Sequence, residues 1–394
     1  IVLKTSENGS TILDFTYGDG RGWPAAADGG GHSLVSLPDA LARHAEGALD
    51  YGRHWRASAV IGGSPGTADT AWPPSLILNE FCANADLTED WIELYNQSNE
   101  AVSLQDWYLS DDFDNLKKWP LPNLSIHGQG HLAVYPTGFA LSRNGEAVIL
   151  SYLPGKANVD RVVDAIRFQA QETNQSLGRD PDASPDWATM TPTRDQSNAP
   201  GIVSIGIDEV MYHPTAQPGS TETTAGEYLE LSNPAEAAVP LWNEIGSWRL
   251  SGGIDFVFPA GSMIPAQGRL LVVGFDPSDA TARDAFLSQY SLPAADVELT
   301  GPYTGQLSNR GDRITLEKPF GIDPADRTVY WVVMDEVIYF DQDPWPSEAD
   351  GEGKVLQRIQ QARPGNDPSN WHAGDPTPGK TAPPYSAIGD WMLH

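Results

Sequence analysis

The chain has 394 residues and a formal net charge of −29, with 53 Asp and Glu against 24 Lys and Arg. Such an acidic chain lacks the basic patch that nucleic acid or an anionic lipid surface requires. No run of 18 apolar residues offers a helical membrane span. The single cysteine, Cys82, allows neither an internal disulfide nor a cysteine-based zinc site.

In chain order, IVLKTSENGSTILDFTY (1–17) reads as two short strands around an Asn8-Gly9 hairpin signal. An acidic glycine turn, Trp23-Pro24 and Ala-Asp-Gly-Gly-Gly (27–31) follow. A weak helical pattern covers Pro38–Leu49, and HWRASAVIGGSPG (54–66) closes the segment. A series of short β-branched or aromatic runs then begins: LILNEF (76–81), DWIELYN (90–96), DWYLSDD (106–112), GQGHLAVY (128–135), ALSRNGEAVIL (140–150) and DWATMTPTRDQSNAPG (186–201). Asn144-Gly145 is a second hairpin signal. The series returns as IGIDEVMYHP (205–214), EYLELSN (227–233), SWRLSGG (247–253), AQGRLLVV (266–273) and QLSNRGDRITL (306–316). The insertion DPSDATARDAFLSQYS reads as a short helix over 279–290, opened by an Asp-Pro-Ser cap. Short strands punctuated by Gly, Pro and Asn at this spacing predict an all-β sandwich or barrel.

The end of the series, IYFDQDPWPSEADGEG (338–353) and NWHAGDPTPG (370–379), matches residues 15–31 and 54–66. The chain therefore enters its first repeat near the middle. Expected domains are residues 1–67 as the closing half of one sandwich, 73–200 and 201–380 as two further sandwiches, and 381–394 as a tail. The Ile1 start suggests a processed or partial product. The strands absent from the first repeat would be supplied in cis or by a neighbouring chain.

The order NE…WIELYN…VSLQDWYLSDD…LSRNGE in 77–150 resembles a bacterial lamin-tail domain, as does DEVMYHP…EYLELSNP…WRLSGG…LSNRGDRITL…DEVIYFDQDPWPSEADGEGKVLQRI in 205–359. The resemblance implies tandem immunoglobulin-like β-sandwiches of lamin-tail type with short helical insertions. It also implies an extracellular or bacterial cell-surface location within a larger exported protein. The expected role is non-catalytic: adhesion or scaffold modules that contact other protein chains, upstream domains, further copies or a cell-surface polysaccharide. The alternatives are accessory binding modules of a secreted enzyme and a filament or surface-layer subunit.

Three sets of residues are candidates for chemistry. Trp23 and Trp345, Trp55 with Trp187 and Trp371, and Trp107 with Trp248 recur, which predicts shared packing. A sugar platform would come from exposed members of Trp72, Trp91, Trp119, Trp242, Trp331 and Trp391. In SDDFDN, Asp111, Asp112, Asp114 and Asn115 bring hard oxygens into one turn, as Ca²⁺ requires; the bland alternative is a solvated turn whose carboxylates cap backbone N–H groups. No cofactor is otherwise expected. Glu80 with Glu209, and Glu93 with Glu230, recur in successive strands. With no nucleophile or recurring His beside them, they predict inward carboxylates that tie strands or loops rather than general acid–base work. His127 and His131 are separated by glycines that favour a turn over a helical zinc pair.

Overall fold

The computed structural model describes residues 1–38, 48–86, 89–202, 204–215, 224–293 and 297–382. Residues 39–47 of the helical expectation at Pro38–Leu49, nearly all of the 381–394 tail and Trp391 lie outside them. The chain is mostly β-strand, of all-β sandwich type, and forms two compact units, Ile1–Pro200 and Gly201–His394.

The first unit opens with two hairpins: β1 (Val2–Lys4) with β2 (Thr11–Asp14), and β3 (Leu34–Ser36) with β4 (Trp55–Ala57). The sandwich strands follow: β5 (Leu76–Cys82), β6 (Trp91–Asn96), β7 (Val102–Ser103), β8 (Trp107–Ser110), β9 (Trp119–Pro120), β10 (Ser125–Ile126), β11 (His131–Val134), β12 (Gly145–Tyr152), β13 (Arg161–Gln169), β14 (Ser176–Arg179) and β15 (Trp187–Met190). A five-stranded sheet runs β11-β6-β5-β14-β15 and a four-stranded one β13-β12-β8-β9. Leu76, Leu78, Phe81, Ile92 and Leu94 from the first meet Trp107, Leu109, Val148, Leu150, Ile166 and Phe168 from the second in one core.

Strict alternation would turn Glu80, not Phe81, toward that core. The β5–β6 register breaks between Leu78 and Glu80, so Asn79 is an extra residue that resets the faces. Leu76 and Leu78 before it and Phe81 and Ala83 after it therefore share one core. Asn144-Gly145 proves not to close a hairpin. β11 and β12 belong to different sheets, and the Gly145 φ of +103° carries the chain from one to the other. A turn dipeptide specifies a local reversal; which sheet receives the next strand is decided by packing.

Part of the opening segment covers the outer face of the four-stranded sheet, where Ala26 packs with Ala147, Ile149 and Val162. His32 is the polar pin: its Nδ1–H donates to the Ser58 carbonyl at 2.7 Å, and its Nε2 accepts from the Val162 N–H at 2.9 Å. Burial lowers the His32 pKa, which keeps the ring neutral for that double role. Arg167 donates to the Asp28 carbonyl, and Arg53 pairs with Asp186. His32→Ala removes both ring contacts inside an apolar contact, so we expect a loss of about 1–3 kcal/mol, read as a lower Tm.

The second unit contains β16 (Gly206–Met211), β17 (Tyr228–Ser232), β18 (Val239–Pro240), β19 (Arg249–Gly252), β20 (Ile254–Val257), β21 (Met263–Ile264), β22 (Arg269–Val273), α1 (Ala280–Gln289), β23 (Leu299–Thr300), β24 (Thr304–Gly305), β25 (Gly311–Ile322), β26 (Val329–Phe340), β27 (Val355–Arg358) and β28 (Trp371–Gly374). Its sheets run β23-β22-β17-β16-β27-β28 and β24-β20-β19-β25-β26. α1 lays Phe286 on Tyr228, Leu271 and Val273 of the larger sheet. Its cap is Asp279, which accepts from the Thr281 and Ala282 N–H groups, and not the Asp-Pro-Ser triplet. Asp276 instead closes the turn before it by accepting from Ser278 N and Oγ.

The bulges repeat with the sequence. β16–β17 breaks register at Asp208, as β5–β6 does at Asn79. The hairpins β1–β2, β12–β13 and β25–β26 break at equivalent positions, after Leu3, Leu150 and Leu316. The turns agree too. The 3₁₀ turns at Ala25–Ala27 and Ser347–Ala349 both start from Pro, at φ −63° and −64°.

Candidate functional site

The bulges at Asn79 and Asp208 set two carboxylates directly opposite each other in each unit: Glu80 against Glu93, and Glu209 against Glu230. All four are at most 1% exposed. Opposed like charges in a dry sheet are unfavourable unless protons or donors compensate.

The donors come from the segment that leaves each unit. In the first, Thr193 gives Glu80 its backbone N–H at 3.0 Å and its hydroxyl at 2.8 Å, while Ser176 adds a hydroxyl at 2.5 Å. Two residues on, the Asp195 N–H donates to Glu93 at 2.6 Å, and Asn79 Nδ2 does so at 3.1 Å. In the second, Thr377 gives Glu209 its N–H at 3.3 Å and its hydroxyl, joined by Tyr228 Oη at 2.7 Å and Gln357 Nε2 at 2.8 Å. Two residues on, the Gly379 N–H donates to Glu230 at 2.6 Å, and Arg269 Nη1 does so at 2.6 Å. Each exit segment is thus clamped at two points by the same pair of acids.

Burial, and then the neighbouring Glu80, push the Glu93 pKa up to about 7; burial and then Glu209 push Glu230 up to about 8. Burial raises Glu80 and Glu209 as well. Glu93 and Glu230 therefore retain a proton well above the ordinary range for Glu. Beside Glu93, His131 accompanies Asp182 at 3.1 Å. Burial opposes the charged form of each, yet their contact holds Asp182 down at about 2 and raises His131.

A second device repeats beside each clamp. Asp164 Oδ2 accepts from the Leu78 N–H at 3.0 Å and from Arg179 Nη2 at 2.8 Å, and Arg179 Nε returns to the Leu78 carbonyl at 2.7 Å. Asp335 Oδ2 accepts from the Ile207 N–H at 2.7 Å and from Arg358, whose Nη1 reaches the Ile207 carbonyl at 3.1 Å. Each Arg–Asp pair satisfies the backbone N–H and carbonyl of the strand residue just before the bulge, Leu78 or Ile207. Sequence reasoning found the four glutamates but missed these partners. Their signals were present: an acid inside VVDAI and VVMDEV, and a Pro-Thr six residues after Trp187 and Trp371.

The SDDFDN loop is placed as follows. Asp111 pairs with Lys118, Asp112 Oδ1 accepts from the Asp114 N–H at 2.9 Å, and Asp112, Asp114 and Asn115 are exposed. Its apolar residue Phe113 packs into the contact made by residues 1–69, against Gly29 and under Arg167, whose guanidinium carbon lies 4.8 Å from the ring centre. Among the described residues no three His, Cys, Asp or Glu side chains converge as a metal set.

Of the recurring tryptophans, Trp107, Trp248, Trp345 and Trp371 are buried and Trp23, Trp55 and Trp187 half-buried. Trp55 and Trp371 donate Nε1–H to carbonyls six residues back, at 2.9 and 2.8 Å. Among the others Trp91 is buried, while Trp72 and Trp242 are exposed. Trp72 lies under the Arg161 guanidinium, so Trp242 presents the freer face. Cys82 borders a cleft of about 330 Å³ with Trp91, Thr193 and Arg194. Burial pushes its thiol pKa up, the reverse of what an activated nucleophile needs.

No family model matches the chain, and no curated protein matches it. A crystal structure of a DUF4876 family protein from Bacteroides thetaiotaomicron VPI-5482 is similar over 77% of this chain and 96% of that one, at 9% identity. The TM-score of 0.32 is too low to carry an argument.

Proposed function

We propose that the chain is a non-catalytic structural and interaction segment of a larger bacterial surface or secreted protein, built from tandem immunoglobulin-like modules of lamin-tail type. One observation carries the reading. The polar groups that recur between units, Glu80 with Glu209 and Glu93 with Glu230, are saturated by internal donors at the exit of each unit. They serve the architecture that repeats. Among the described residues no helix is long and apolar enough to cross a membrane. Protease shaving of intact producing cells, followed by mass spectrometry, tests the location. Release of peptides from residues 1–394 is expected, and recovery from the cytosol alone would overturn the reading.

Calcium is not required in this reading, since Asp111 is committed to Lys118 and Asp112 to the Asp114 N–H. We expect the Tm to be the same in EDTA and in millimolar CaCl₂. A calcium-dependent rise that Asp112→Ala abolishes would restore a site at Asp111–Asn115.

A further inference from the structure

The shared register matches the outer faces of the two larger sheets residue by residue. Cys82 stands opposite Trp91 as Met211 stands opposite Tyr228, and the next strand brings Tyr135 to the place of Val273. In the second unit that patch is filled from within. Phe286 of α1 packs with Met211, Tyr228 and Val273, and Tyr290 meets the Tyr228 ring edge-on, with centroids 5.3 Å apart. The first unit has no such insertion: its chain passes from Tyr135 to Leu141 where the second inserts residues 274–306. At the corresponding place stands the cleft of about 330 Å³, whose lining includes Cys82, Trp91, Asn174, Thr193, Arg194 and Gln196.

Arg194 is set apart by its charge. Its Nη1 donates to Tyr135 Oη at 2.8 Å, and the guanidinium carbon lies 6.0 Å from that ring centre. Arg53, Arg56, Arg167 and Arg179 of the same unit each pair with a carboxylate. Among the described residues none pairs with Arg194, in a chain where acids outnumber bases 53 to 24. Nor does the repeat need this cation, because matching Thr193 to Thr377 puts Pro378 in its place. A guanidinium oriented by one tyrosine, with its other N–H groups uncommitted, offers a fork that fits a carboxylate. The surroundings limit the charge it can take. Asp86 is bonded to Asn174, Glu80 to Thr193, and the Asp90 charge acts on Cys82. A ligand with one negative charge is therefore favoured over a dianion. The volume is at the small end of ligand clefts, and the amides of Asn174 and Gln196 suit a hydroxylated body rather than an apolar one.

We propose that the cleft binds a single sugar acid, with its carboxylate on the Arg194 fork, its hydroxyls on the Asn174 and Gln196 amides and its ring beside the exposed Tyr135. The first unit thus keeps open, as a ligand site, the patch that the second closes with α1.

The inference goes beyond the scaffold reading and does not rest on it. Recovery of the chain from the cytosol alone would sink that reading and leave the cleft as it is; a failed titration here would leave the scaffold. The test is calorimetric titration of the full chain with glucuronate and galacturonate, with glucose and glucose 6-phosphate as the neutral and doubly charged arms. Saturable binding of at least one sugar acid is expected, about tenfold or more tighter than either control. Arg194→Gln should weaken it about tenfold or more, and Arg194→Lys, which keeps the charge and loses the fork, should not restore it. Ala85→Phe, which fills the cleft and leaves Arg194 in place, should abolish it. Thermal melts of the free variants confirm that each is folded. Three results would overturn the proposal: no saturable binding at the highest soluble concentration of either acid, equal binding of glucose or glucose 6-phosphate, or binding that a folded Arg194→Gln or Ala85→Phe variant leaves unchanged.

Discussion

Raising the pH from 5 to 8 is expected to lower the stability of the wild-type chain relative to its Glu93→Gln/Glu230→Gln variant. Burial and the opposed glutamates raise Glu93 to about 7 and Glu230 to about 8 in the folded state, from an ordinary 4.5. The folded chain then holds protons that the unfolded chain releases near pH 4.5. That contribution is complete below about pH 4.5 and is lost as the pH climbs through the folded values. For Glu93 it is on the order of 3 kcal/mol, at 1.36 kcal/mol for each pKa unit. His131, raised by Asp182 and Glu93 against its burial, fades in the same direction. His32 and His372, lowered by burial, act oppositely below pH 6.5, so the comparison with the variant isolates the carboxylates. The glutamines keep an acceptor for the Asp195 and Gly379 N–H groups and carry no charge. Denaturant melts at pH 5, 6, 7 and 8 read the difference; parallel curves would show that the pairs do not titrate in this window.

Asp335→Ala is expected to be the most damaging single change in the second unit. It strips the charge partner from Arg358, whose side chain is 3% exposed, and leaves the Ile207 N–H without its acceptor beside the bulge. Breaking one partner of a buried pair costs about 3–5 kcal/mol, which for a unit of this size lowers Tm by roughly 10 °C. The double variant Asp335→Ala/Arg358→Met removes the stranded charge and is expected to recover part of the loss. A thermal melt of the two tells a buried ion pair from simple packing: no recovery would mean that the Arg358 charge is not what destabilises Asp335→Ala.

Much of this was legible because repetition amplifies weak signals. Any one strand such as EYLELSN is ambiguous by itself, but the recurrence of Glu80 as Glu209 and of Glu93 as Glu230 in successive strands could be read from the sequence; that the members of each unit stand opposite each other could not. Less legible were features set by the third dimension. A bulge is one extra residue with no composition of its own, so Asn79 and Asp208 passed as ordinary strand positions. Phe113 sat inside an acidic string that drew the eye to its oxygens, yet its ring is what the rest of the unit uses. Asp279 won the helix cap from Asp276 because the favourable side-chain geometry begins three residues later.

The double clamp at each exit also decides how these units would bear load. Tension along the chain arrives through Thr193–Asp195 or Thr377–Gly379 before it reaches a sheet edge. There it meets several hydrogen bonds to paired, buried acids. Two anchors two residues apart must yield together rather than one after another. A string of such units would lengthen in discrete steps, and acid, by keeping the pairs protonated, would raise the force each step requires.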